Sequence, residues 1–139
     1  MPSRTTLRLW LPPLLWTAVI LTASSASFSS ANTGPVLAKL INAIFPVSPD
    51  TFAALHFLIR KAGHLAGYGI LGALVLRAIR AERPGWKVSW AIAAIAFAAV
   101  VASLDEWHQS FIPSRTATPQ DVIIDTLGAT LAQVLFFRA

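Results

Sequence analysis

Lys61, His64 and Tyr68 are spaced three and four residues apart in "KAGHLAGY", so a helix presents them on one face. Asp121, Asp125, Gly128 and Ala132 repeat that spacing near the C-terminus, and Glu106 and Gln109 form a third set three residues apart. A carboxylate and an imidazole brought together can act as general base and general acid. Glu106, His64 and Asp121 are the candidates for that work, with His108 as a second candidate acid. Lys61 and Arg115 are suited to holding a phosphate or carboxylate. A structural reading uses the same groups differently: Arg115 forks onto Asp121 or Glu106 and ties helices together. His64, Glu106, His108, Asp121 and Asp125 are acceptable metal-ligand types. However, Glu106 and His108 are two apart and diverge on a helix, and no H-E-x-x-H pattern occurs, so neither a metal nor another cofactor is expected.

The elements that carry these residues are apolar. The chain has 139 residues, is 55% hydrophobic and 12% charged, and contains no cysteine. That composition is one of an integral membrane protein, and it excludes disulfides and thiolate chemistry. The formal charge of +5 does not point to nucleic acid, because the basic residues lie at the ends of apolar runs rather than on one polar face. Runs long enough to cross a bilayer fall at about 9–28, 61–79, 87–105 and 120–137. "PVLAKLINAIF" places Leu37, Leu40, Ile41, Ile44 and Phe45 at helical spacing, either as a short helix on the membrane surface or as one packed on the bundle. Ser48 and Pro49 then start a helix that continues into the second span. The expected fold is an all-α polytopic membrane bundle, one domain over 1–139, with about four transmembrane helices and a short interfacial helix after the first. Arg4, Arg8 and the small residues of "TASSASFSSA" give the first run a second reading as a cleavable signal peptide.

Positive charge sets the orientation. With both termini cytoplasmic, Arg4, Arg8, Arg77, Arg80, Arg83, Lys87 and Arg138 lie inside, against Lys39, Arg60, Lys61 and Arg115 outside. At 1.5 Å per residue, His64 stands about 20 Å above Arg77, Asp125 about 20 Å above Arg138, and Glu106 about 28 Å above Lys87. Three spans thus bring ionisable groups to one outer level, where such side chains face a bundle interior or a wet cavity rather than lipid. Gly67, Gly128 and Ala132 are the small residues expected to let backbones approach there. The tryptophans mostly fall near span ends, as interfacial anchors do.

At these residues the chain resembles the VanZ-like family of small bacterial membrane proteins. "KAGHLAGY" supplies the Lys, His and Tyr of the early span, here Lys61, His64 and Tyr68. "EWHQSFIPSR" supplies Glu106, Gln109, Phe111, Pro113 and Arg115, and "DVIIDTLGATLA" supplies Asp121 and Gly128. Ser114 stands where the family often has Gly, Asp125 where it commonly has Asn, and Ala132 where Gly is frequent. The resemblance implies the bacterial cytoplasmic membrane, membrane lipid as a partner and a role connected with the cell envelope, in a family named for a protein associated with teicoplanin resistance. Combined with the polar level, it gives the leading expectation: a pocket on the extracytoplasmic side that binds a lipid-linked envelope precursor or a lipoglycopeptide. Lys61, His64, Tyr68, Glu106, Gln109, Arg115, Asp121 and Asp125 would form it. The alternative is an intramembrane enzyme using Glu106 and His64 on a lipid-linked substrate.

Overall fold

Pro12 and Pro13 lie inside a continuous helix in the computed structural model, which describes residues 4–113 and 117–138. Helix α1 spans Arg4–Ala23, so the two prolines sit in its third turn. A proline removes one backbone donor, and in a bilayer the carbonyls so freed need other partners. The carbonyls so freed are those of Arg8 and Leu9, four residues earlier; Pro13 itself is buried against the bundle, and its own carbonyl accepts an added bond from Thr17 Oγ1 at 2.9 Å. The helix ends at Ala23, five residues short of the first apolar run; a short 3-10 turn, Ala26–Phe28, follows. Ser24, just past the helix end, donates from Oγ to Asp105 Oδ2 at 2.7 Å.

Helix α2, Ser30–Ile44, touches the bundle sparingly, with Gly34 beside His56. Val36, Leu40, Ile44 and Phe45 are exposed, which is the pattern of a helix lying on a lipid surface. Helix α3, Pro49–Arg80, begins where the sequence places it: Ser48 Oγ accepts from Thr51 N–H, and Pro49 takes the first position. Its 32 residues extend about 48 Å, longer than a hydrocarbon core of about 30 Å. Helix α4, Val88–Gln109, buries Ala91, Ala94, Ala98 and Ala102 along one face. Helix α5, Pro119–Arg138, restarts the chain after the α4–α5 connection. Among the described residues every element is helical, and α1, α3, α4 and α5 are long and apolar enough to cross a membrane.

The most extensive interface joins α3 to α5, and glycine creates it. A Cβ at Gly72 would stand 3.0 Å from Ala129, and one at Gly69 would stand 3.3 Å from Gly128 O. Gly128 is tighter still, with Leu65 O and Gly69 N against it. Such backbone contact drives association in lipid, where burying apolar surface gains little. Gly128 thus does what its sequence position suggested. Gly67 does not: a Cβ there would meet no heavy atom within 4 Å.

The α3–α4 turn concentrates cations. Ala81 and Gly85 take positive φ values of 55° and 82°. Arg83 donates back to Ile79 O and Arg80 O, and its guanidinium lies 4.6 Å from the Trp90 ring centroid. Those contacts close the last turn of α3 and seat the first turn of α4.

Candidate functional site

The α3 and α5 stripes face each other and run parallel. Lys61 Nζ donates to Asp121 Oδ1, and one turn further His64 Nδ1 lies 3.2 Å from Asp125 Oδ1. Both pairs advance together toward Gly69 and Gly128, so the glycine contact fixes the register that matches each base with its acid. Exposure falls along the way: Asp121 is 14% exposed and Asp125 is 0%. A carboxylate so enclosed is stable only with partners. The Tyr68 ring stacks on His64 with centroids 6.5 Å apart.

Helix α4 closes the far side. Asp105 is wholly buried, and its Oδ2 accepts from Ser24 Oγ at 2.7 Å and from Gln109 Nε2 at 3.1 Å. Asp105 was not among the sequence candidates, and it is the residue that binds the end of α1 to the polar level. Its position four before Gln109 and beside Glu106 was the available signal. Tyr68 Oη lies near this carboxylate; it and Asp105 Oδ1 are buried with no hydrogen-bond partner among the described residues. Glu106 Oε2 accepts from Thr118 N–H at 2.9 Å, and Oε1 lies 3.4 Å from Gln109 Nε2. Glu106 therefore holds the start of α5. Arg115 lies outside the described residues, and Asp121, one of its two expected partners, is bound to Lys61. Among the described residues no three His, Asp or Glu groups form a cluster able to hold a metal.

Interhelical hydrogen bonds inside a membrane average about 0.6 kcal/mol. A handful of them supplements the glycine-mediated packing below. Two clefts open beside them. One of about 680 Å³ lies between α3 and the start of α5, where Arg60, Lys61, His64 and Asp121 share the wall with Phe52, Phe57 and Ile124. The other, of about 300 Å³ and mostly apolar, lies between α1 and α3. Arg60 and His64 line both. Arg60 has no hydrogen-bond or ion-pair partner among the described residues, which makes it, rather than Lys61, the free cation of the site. Its four-residue spacing from His64 was legible, but its neighbour Lys61 drew the assignment.

A family model described as VanZ/LLP1 matches residues 9–139. The match takes in α1 and α2 as well as the three polar blocks. No curated protein and no solved structure matches the chain.

Proposed function

The chain belongs to the VanZ/LLP1 family and is a multi-pass membrane protein, and from that premise we propose that it binds an anionic, lipid-linked component of the cell envelope. The observation that carries this reading is the α3–α5 cleft, where the unpaired Arg60 adjoins the Lys61–Asp121 pair and an apolar wall. A phosphate entering there takes a forked contact from Arg60 and competes with Asp121 for Lys61, while Phe52, Phe57 and Ile124 receive the adjoining apolar part. With the basic α3–α4 turn in the cytoplasm, the cleft faces the extracytoplasmic side of the cytoplasmic membrane. Holding a lipid-linked precursor there, or the lipid tail of a lipoglycopeptide, would alter how the drug meets its target. In that sense teicoplanin-type resistance or envelope homeostasis bears on this chain.

The test is binding of a labelled polyprenyl phosphate to the purified protein. Replacing both cations, Arg60→Gln with Lys61→Gln, is expected to weaken binding by tenfold or more, at about 1.5–3 kcal/mol per charge-assisted bond. Unchanged binding with normal folding overturns the reading.

One contact favours a second reading, the intramembrane enzyme. Asp125 holds His64 Nδ1, which leaves Nε2 as the free ring nitrogen of a side chain lining both clefts. A carboxylate that fixes an imidazole in this way prepares it for proton transfer. Release of phosphate from a bound lipid phosphate, lost in His64→Gln while binding persists, would establish that reading; binding without turnover rejects it.

A further inference from the structure

No neighbour in the bundle requires residues 63 and 67 to be glycine. A Cβ at either would meet no heavy atom within 4 Å, whereas Gly69 and Gly72 are pressed against α5. A glycine in a helix interior costs about 0.8–1 kcal/mol relative to alanine. For Gly69 and Gly72 the α5 contact offsets that cost; for Gly63 and Gly67 no contact does.

What these two residues share is the cleft of about 300 Å³ between α1 and α3, which both of them line. Across it stand Trp16, Ile20 and Ala23. Trp16 Nε1 donates to Gly67 O at 2.9 Å, so the indole N–H is paired and presents no polar group to the groove. On α3 the groove runs from Arg60 to Tyr68, about 12 Å along the axis. A side chain at position 63 or 67 would occupy it. At its upper end the free guanidinium of Arg60 belongs also to the α3–α5 cleft.

We propose that this groove holds one hydrocarbon chain of an anionic lipid, that Gly63 and Gly67 keep it wide enough, and that Arg60 holds the anionic head at its mouth. The inference rests on the anion-binding reading of the neighbouring cleft and adds where the chain goes. An apolar groove facing a bilayer gains little by exchanging one hydrocarbon neighbour for another. Affinity therefore comes from the charged head, and the groove decides which chain shapes accompany it. Charge complementarity selects an anionic lipid over a neutral one: among the described residues Arg60 is the only Lys or Arg lining this groove, and it has no partner there, whereas His64 is held by Asp125.

An alkyl phosphate carrying a photoreactive diazirine within its chain tests this in phosphatidylcholine nanodiscs, with labelled peptides read by mass spectrometry. Labelling is expected on α1 around Trp16 and Ile20 and on α3 around Gly63 and Gly67. The uncharged alkyl alcohol should label these sites about tenfold less, and Arg60→Gln should reduce alkyl phosphate labelling by about the same factor. Gly67→Leu and Gly63→Leu should both abolish the α1 labels. The milder Gly63→Ala should lower them while leaving thermal stability unchanged or raised, a combination that a purely structural glycine does not produce. If Arg60 and Lys61 substitutions leave total labelling unchanged, the anion-binding reading itself fails. If labelling depends on charge but falls on outward residues such as Ile92 and Val100, or persists on α1 in both leucine variants, the groove inference alone is overturned.

Discussion

His64 Nδ1 rests 3.2 Å from the wholly buried carboxylate of Asp125, which supplies an acceptor oxygen there. An asparagine keeps an oxygen in the same place, consistent with the Asn common at this position in the family the chain resembles. Asp125→Asn is therefore expected to leave polyprenyl phosphate binding within about threefold of the unsubstituted protein, whereas Asp125→Leu removes the acceptor and weakens folding, binding or both by about 1–3 kcal/mol. Binding and thermal unfolding, measured on both variants at matched expression, check this. The same variant separates the two functional readings. If His64 moves protons, Asp125→Asn retains binding and loses turnover by orders of magnitude, because the neutral amide no longer stabilises the protonated ring. Lys61 illustrates the limit of residue type as a guide. It is a cation at the mouth of the site, yet Asp121 occupies it, and the unoccupied charge is one residue away at Arg60.

Between elements, α3 and α5 set the site's register through backbone contact, and the polar pairs follow from it. Gly128→Ala drives a Cβ into Leu65 O and to within 3.2 Å of Gly69 N, neither of which belongs to a flexible side chain. Overpacking of that kind costs about 1–3 kcal/mol. The expected result is a lowered unfolding temperature in detergent together with weakened binding, since separating the helices also parts Lys61 from Asp121 and His64 from Asp125. Unchanged stability would mean that the two helices are not in backbone contact. Helix α1 is joined differently. Ser24 supplies one of the two donors to the buried Asp105, Trp16 bonds to Gly67 O, and Pro13 and Ile20 are buried. These contacts make α1 a wall of the site and of the adjoining groove.

For the whole molecule, the open variable is direction across the bilayer. Arg77, Arg80, Arg83 and Lys87 fall in or beside a single short turn, while Lys61, His64, Asp105, Asp121 and Asp125 gather at the opposite end. The proposed orientation predicts that a cysteine at Glu82 or Gly85 reacts with an impermeant maleimide only after the membrane is opened, and that one at Ser48 or Ser110 reacts in intact cells. The chain has no native cysteine, so each variant reports one site. The reverse pattern would place the clefts in the cytoplasm and remove extracytoplasmic ligands from consideration.

The sequence by itself determined the class of fold, the start of α3 at Ser48 and Pro49, and the stripes on α3 and α5, because apolar run length, caps and helical periodicity are local properties. It also indicated Gly128 as a contact point. It did not reveal that Gly63 and Gly67 differ in surroundings from Gly69 and Gly72, since all four present the same absent side chain and only the neighbour across the interface distinguishes them. Nor did it reveal Asp105 with Ser24, separated by 81 residues, or which of two adjacent cations would be left unpaired. Pairing depends on rotation and register between helices, which the contacts between their backbones fix, and no spacing along one helix encodes it.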